Sequence, residues 1–244
     1  MKVNRKVKIL GMLAIVVLIS SFGYKRFDKI ALKMVSKSAK NGFTTKIEGD
    51  IYYSASGKMI TYFTYPAEYI TIANDKGEIL FYDQEKNTVF QSQNDALSSE
   101  TSFFYFFLNN KKTDLGLSEM GFSISNTTFE EGLTVTDWAP PMQMASQLGA
   151  IKLVHDRNNP IFMSYKDSND QLIKKVYYYD YINTSGISIP TSVTQIDYHS
   201  SIDSVITKIY YSNIRVGNEV DDNLLNYKIP ESVKVVTQED AQKK

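Results

Sequence analysis

A run of consecutive aromatic residues near the middle of the chain constrains its fold more than any other feature. The five positions Phe103–Phe107 are all aromatic, and they lie within the segment Ser99–Leu108, SETSFFYFFL. Polar residues at 94–95 and 109–112 flank the run and favour a short helix over a strand, which such a run also permits. Successive helix residues turn by about 100°, so the five rings cannot share one face. The helix must therefore be covered on more than one side.

Two roles fit such a helix. It is either a core helix packed against a sheet or a lid over an apolar cavity that opens to a greasy ligand, since ligand pockets are concave and mostly apolar. The sequence alone leaves both roles open.

The N-terminus has the pattern of a secretory signal. Residues 1–23 contain four basic residues and no acidic one, and the basic region precedes the apolar run Ile9–Phe22. A stretch of fourteen residues is short for a membrane span. We therefore expect a signal peptide cleaved before Tyr24, with an uncleaved N-terminal anchor as the alternative.

Charge and cysteine content exclude several classes of function. Removal of 1–23 would leave a net charge of −4, which favours neither nucleic acid nor anionic membrane surfaces as partners. The chain has no cysteine, so a disulfide, a catalytic thiol and a lipidated N-terminal cysteine are all excluded. We expect an exported monomer that needs no cofactor or metal.

Most of the remaining chain has the alternation of β-strands. Tyr24–Lys40 predicts an amphipathic helix, because apolar residues recur at helical spacing and lysines fill the other face. From Thr44 onward the period is two, with short polar turns between strands. About eleven strands without a linker predict one mainly β (α+β) domain over 24–236. We expect a single unclosed antiparallel β-barrel with a helical lid, followed by a disordered tail at 237–244.

Catalytic motifs are lacking in the sequence. His155 and His199 are isolated in strand patterns, and neither a GxSxG motif nor a HExxH motif occurs. We therefore expect a protein that is not an enzyme. An exported esterase or glycan-acting enzyme remains an alternative.

The excess of apolar residues instead predicts a ligand-binding interior. Alternate residues of several strands are assigned to the concave face of the sheet, although a shift of one residue would invert that assignment. Methionines suit an adaptable wall. The predicted lipid-binding residues are Ile60, Tyr62, Leu80, Phe103, Phe104, Phe106, Phe107, Met120, Trp138 and Met142.

Several segments resemble one family in their order along the chain. The turn at 54–58 (SASGK), the pair Tyr65-Pro66, the hairpin segment Lys76–Asp83 and the aromatic helix resemble the periplasmic lipoprotein-carrier (LolA-like) family. The closing segment 220–233 is similar to that family's C-terminal pattern. The resemblance covers roughly residues 25–236.

The resemblance implies a function. It implies an unclosed β-barrel whose apolar interior holds the acyl chains of lipoproteins while they cross the periplasm toward the outer membrane. The implied partners are an inner-membrane donor complex and an outer-membrane acceptor. This chain departs from the family in having Tyr65 before Pro66 and no arginine in Met59–Tyr65, so the family's arginine latch on the lid is lacking here.

A second hypothesis keeps the same fold but changes its use. An envelope sensor would read mislocalised lipids or unfolded proteins and pass the signal to a membrane-bound partner. Such a sensor would need an exposed protein-binding surface.

Overall fold

The computed structural model describes residues 28–93, 103–109, 111–184, 186–200 and 203–236, with the backbone but not the side chain of Phe103. The predicted signal peptide at 1–23 and the predicted tail at 237–244 lie outside the described residues. Among those residues, no helix combines the length and apolar character that a bilayer-spanning segment requires.

Fourteen strands make up most of the described chain. Apolar and polar residues alternate in most of these strands, and short turns join them, as expected for the predicted mainly β domain. The strands are β1 (Lys29–Lys40), β2 (Phe43–Ser54), β3 (Met59–Tyr65), β4 (Tyr69–Ala73), β5 (Glu78–Asp83), β6 (Thr88–Gln93), β7 (Ser123–Glu130), β8 (Leu133–Ala139), β9 (Leu148–Asp156), β10 (Asn159–Asp167), β11 (Leu172–Thr184), β12 (Ile187–Tyr198), β13 (Ser204–Val216) and β14 (Lys234–Val236). The described helices are α1 (Phe103–Leu108), a 3-10 turn (Gly217–Glu219) and α2 (Asp222–Leu225).

All fourteen strands belong to one sheet. Their spatial order is β14-β6-β5-β4-β3-β2-β1-β13-β12-β11-β10-β9-β8-β7. Every pairing is antiparallel except that of β14 with β6, which is parallel. Because β14 and β7 end this order without pairing to each other, the sheet is unclosed, as predicted. It has more strands than the eleven expected.

The prediction of a helix over Tyr24–Lys40 is wrong where the structure describes it. Lys29–Lys40 is a strand that pairs with β2 along its whole length and with β13 on its other side. Ile30 and Met34 fit both the helical stripe and a period of two, whereas Leu32 fits only the period of two. Pairing with two long neighbours therefore decides between the two patterns, since tertiary context overrides a weak propensity.

The segment Lys112–Glu119, which follows α1, does not form a second helix. Residues 112–121 form a succession of turns. Leu115 and Gly116 have left-handed backbone conformations, which a continuous α-helix does not allow. A side chain at Gly116 would also place a Cβ atom 2.6 Å from the Phe106 ring. Gly116 is therefore required both by its φ of +80° and by the close approach of α1.

The sheet curls around α1. Strands from β2 to β8 in the spatial order contribute side chains to one buried cluster that also contains Phe104, Phe107 and Leu108 of this helix. A helix of six residues is not stable alone in water, so packing against the sheet holds it in place. We call the face of the sheet that contacts α1 the inner face, and the opposite face the outer face.

Candidate functional site

The aromatic helix α1 lies on the inner face and is covered from two sides. The Phe104 ring lies 6.2 Å from the Tyr53 ring and 5.6 Å from the Tyr211 ring, measured between centroids. On the other side, Lys111 donates a hydrogen bond of 2.6 Å to the Tyr105 hydroxyl. This arrangement agrees with the prediction that the five-ring run needs cover on more than one face.

A cavity of about 220 Å³ lies between α1 and strands β10–β13. Phe106, Phe107 and Leu115 form one wall of this apolar cavity. The opposite wall consists of inner-face residues of the four strands: Met163, Tyr165, Lys174, Val176, Tyr178, Val193, Gln195, Ile209 and Tyr211.

Polar groups in the apolar cavity are concentrated in one cluster. Lys174 forms an ion pair of 3.4 Å with Asp197, and the Gln195 amide donates a hydrogen bond of 2.6 Å to the same carboxylate. Most of the other lining side chains are hydrocarbon, aromatic or thioether groups. The cavity therefore has the composition of a site for an apolar ligand.

Burial raises the pKa of the tyrosines in the apolar cavity. Removal from water raises the pKa of Tyr165 to about 12, and it raises the pKa of Tyr178 and Tyr211 well above the ordinary value. The Tyr165 hydroxyl is 3.1 Å from the Met163 sulfur atom. At neutral pH these phenols add no charge to the cavity wall.

We expect the stability of the protein to fall above pH 10 because of these tyrosines. An unfolded chain ionises its tyrosines near pH 10, whereas the folded protein keeps Tyr165 protonated until about pH 12. The stabilisation is therefore complete below about pH 10 and is lost as pH rises toward about 12. Urea unfolding at pH 9, 10 and 11 measures this decrease, which Tyr165→Phe should reduce. Ionisation of every tyrosine near pH 10, followed by absorbance at 295 nm, would contradict this expectation.

The predicted ligand residues of α1 and β8 lie on the inner face. Phe104 and Phe107 are buried there, Phe106 is half-buried in the cavity wall, and Trp138 is buried in the same cluster. Trp138 does not line the apolar cavity. The side chain of Phe103 lies outside the described residues.

The predicted placement of Ile60, Tyr62 and Leu80 on the concave face is wrong. Tyr53 packs against α1, whereas its neighbour Tyr52 pairs with Ile60. Successive residues of a strand face opposite sides, so Ile60 and Tyr62 belong to the outer face. Register with β4 assigns Leu80 to the outer face as well.

The C-terminal segment covers the outer face at these residues. The Tyr62 hydroxyl donates a hydrogen bond of 2.8 Å to the Leu224 carbonyl, and its ring contacts Tyr227 at 6.0 Å between centroids. Ile60 is fully buried in the cluster that Tyr227 joins. The predicted ligand-binding face was therefore wrong by one residue in register, and it is the outer face that the C-terminal segment covers.

The two predicted methionines lie away from the apolar cavity. Met120 is 46% exposed and Met142 is 92% exposed, and both belong to turn segments. The sequence between Pro140 and Leu148 had no clear periodicity, so it did not indicate where Met142 would point.

The same error in register hid four inner-face aromatics. Phe63 stacks on Tyr69 with 4.2 Å between ring centroids, and Phe81 lies 5.8 Å from Phe90. Tyr69, Phe81 and Phe90 line a hollow of about 600 Å³ over β4–β6 and β14. The sequence shows that alternate residues of these strands share a face. Only the contact with α1 shows which of the two sets of alternate residues lies on the inner face.

The two histidines are not brought together. His155 is buried on β9, where its Nε2 atom donates a hydrogen bond of 3.0 Å to the Lys112 carbonyl, and His199 is exposed after β12. Strands β9 and β12 are separated by two others. Among the described residues, no three histidine or acidic side chains come together as a candidate metal site.

Comparison with known proteins gives likeness in fold. No family model matches the sequence, and no curated protein matches it. A solved DUF1329 family protein of Desulfovibrio piger is 14% identical with a TM-score of 0.58, over 88% of this chain and 95% of that one. A LolA superfamily protein of Nitrosomonas europaea is 10% identical with a TM-score of 0.55, over 88% and 97% of the two chains.

A third solved structure points the same way. A domain of Vibrio parahaemolyticus that is named for outer membrane lipoprotein sorting is 12% identical with a TM-score of 0.57, over 88% of this chain and 95% of that one. Identities this low concern the fold alone. The chain therefore has a LolA-like fold, and the resemblance predicted from the sequence is confirmed at that level.

Proposed function

We propose that this protein is a periplasmic carrier that binds the acyl chains of lipoproteins without covalent chemistry and takes them toward the outer membrane. The observation that carries the proposal is the apolar cavity between α1 and β10–β13. The signal-like pattern of residues 1–23 supports export, and the LolA-like fold supports a role in binding apolar ligands.

The size of the apolar cavity suggests how a ligand would enter. Its volume of about 220 Å³ is below the range of about 300–1,000 Å³ that is usual for ligand pockets. We therefore propose that α1 acts as a lid that moves outward, so that acyl chains replace Phe104, Phe106 and Phe107 on the inner face. Each buried CH₂ group of the ligand would contribute about 0.8 kcal/mol.

The hollow over β4–β6 would extend the binding surface. Its aromatic side chains lie on the same inner face as the apolar cavity, and they include Tyr69, Phe81 and Phe90. A ligand with two or three chains could use both regions once α1 has moved. The proposed partners are an inner-membrane donor complex and an outer-membrane acceptor, and the proposed carrier is a monomer.

The proposal is tested by extracting lipid from the full chain after export and purification. A carrier should yield acyl material in an amount that approaches one lipid or lipopeptide per protein. Material present only in traces would contradict the proposal.

The two alternatives make different predictions. A sensor would retain a membrane-bound regulatory protein in a pull-down and would need no lipid in stoichiometric amount. An esterase or glycan-acting enzyme would show hydrolysis that is lost on replacement of His155 or His199. We propose binding over catalysis because His155 is engaged with a backbone carbonyl and His199 lies on a distant strand end.

A further inference from the structure

A third depression on the inner face differs in chemical character from the apolar cavity and from the hollow over β4–β6. It has a volume of about 420 Å³ and lies between the turns at 111–118 and strands β7–β9. We call it the polar groove. The turn segment separates it from the apolar cavity, because Leu115 lines the cavity while its neighbour Asp114 lines the groove.

One wall of the polar groove is apolar and rigid. Trp138 on β8 lines it, and the indole N–H donates a hydrogen bond of 2.9 Å to the Thr136 hydroxyl. Ile124 pairs with Trp138 from the edge strand β7 and is 54% exposed. A hydrocarbon group placed here would contact both side chains and bury Ile124.

Two cations lie at the polar groove. Lys111 is held by the Tyr105 hydroxyl at 2.6 Å and by the Glu119 carboxylate. Arg157 occupies the turn between β9 and β10 with a φ of +54°, a backbone conformation that is uncommon for any residue other than glycine. Among the described residues, the Arg157 guanidinium has no hydrogen bond or ion pair, so its donors are available to a ligand.

The other polar groups of the groove divide into occupied and available ones. The Asp114 carboxylate accepts hydrogen bonds from the N–H groups of Gly116 and Ser118, and His155 is bonded to the Lys112 carbonyl. The Thr134 hydroxyl makes no hydrogen bond with a described side chain or backbone group. The hydroxyl and amide groups of the groove can donate or accept, so the Arg157 guanidinium is the charged donor that remains available among the described lining residues.

We infer that the polar groove binds an organic anion with a short apolar part. Its carboxylate or phosphate would accept hydrogen bonds from Arg157, whose planar guanidinium matches such groups in a bidentate manner. Its apolar part would lie against Trp138 and Ile124. This site is distinct from the apolar cavity and does not depend on the proposed carrier function.

The single tryptophan of the chain provides a direct test. Trp138 fluorescence of the full chain is recorded during titration with hexyl phosphate, with hexanoate and with the uncharged analogue 1-hexanol. We expect a saturable change with both anions and an affinity for hexanol that is at least about tenfold weaker, the factor that a charge-assisted hydrogen bond contributes. Equal affinity for the anions and the alcohol would overturn the inference.

Variants identify the residue responsible. Arg157→Gln should weaken both anions by at least about tenfold and leave hexanol unchanged. The control is Lys152→Gln, which removes a cation that pairs with Asp137 at 3.0 Å on the outer face of β9 and should change nothing. Unchanged binding of the anions to Arg157→Gln would overturn the inference.

A longer ligand distinguishes the source of the anion. Tighter binding of a lysophosphatidic acid than of hexyl phosphate would assign the polar groove to a lipid headgroup. Similar affinities would assign it to a small water-soluble anion, and both results support the anion site. If lipid extraction shows no acyl cargo while hexyl phosphate still binds, only the proposed carrier function fails.

Discussion

Replacement of Phe104 by alanine is expected to lower the free energy of unfolding by about 3–5 kcal/mol, the usual range for a buried phenylalanine. Phe104 is 5% exposed and contacts Tyr53 and Tyr211 on strands β2 and β13. Its removal would leave a hole where the helix meets the sheet. Urea unfolding followed by circular dichroism measures the loss.

The matched control for this variant is Phe129→Ala. Phe129 lies on the edge strand β7 and is 79% exposed, so its removal should change the free energy of unfolding by no more than about 0.5 kcal/mol. A loss below about 1 kcal/mol for Phe104→Ala would show that α1 is not anchored to the inner face.

The second large effect concerns ligand binding. Val193→Phe is expected to weaken the binding of a long-chain fatty acid by about 50-fold or more. Val193 is buried on the inner face and lines the apolar cavity, so a larger ring there would occupy the space of about three CH₂ groups. At about 0.8 kcal/mol for each group, the lost burial corresponds to that factor.

Displacement of a fluorescent fatty acid measures this affinity. The control is Ile206→Phe, because Ile206 is 39% exposed on the outer face of the neighbouring strand β13. It should bind like the unchanged protein, and both variants should keep the same circular dichroism spectrum. Equal affinities for Val193→Phe and Ile206→Phe would place the ligand elsewhere.

The local sequence pattern predicted the strands and hairpins, because strands show alternating apolar and polar residues and tight turns contain glycine, asparagine or aspartate. The turn at 54–58 and the hairpin at Lys76–Asp83 form as expected. It did not predict β1, because Lys29–Lys40 fits a helix and a strand equally well. Its pairing with β2 and β13 decides between the two, and the paired residues of β13 lie about 170 to 190 positions further along the chain.

The candidate site was predictable only in part. The aromatic run at Phe103–Phe107 indicated that the helix would be covered on several sides, and Phe106 and Phe107 do line the apolar cavity. The inner face of β3–β5 was inverted, because Tyr52 and Tyr53 are equally suitable for burial and only α1 distinguishes them. Two covered faces remove the contrast between polar and apolar sides that normally fixes the register.

The polar groove was missed for a related reason. Thr134, Thr136 and Trp138 alternate on β8 and therefore share a face, but nothing local indicates that His155 and Arg157 come beside them. That contact follows from the register of β8 with β9 across the turns at 140–147. The sequence between Pro140 and Leu148 has no clear periodicity, so it does not indicate the register of this pairing.

Binding of acyl chains to the inner face is tested most directly by native mass spectrometry of the full chain with a triacylated lipopeptide. We expect a mass increase that corresponds to one lipopeptide per protein and that Val193→Phe largely abolishes. A mass that stays unchanged at lipopeptide concentrations up to the solubility limit would show that the inner face does not bind acyl chains. The side chains of the protein itself would then fill the interior of the sheet, and the sensor hypothesis would become the better explanation.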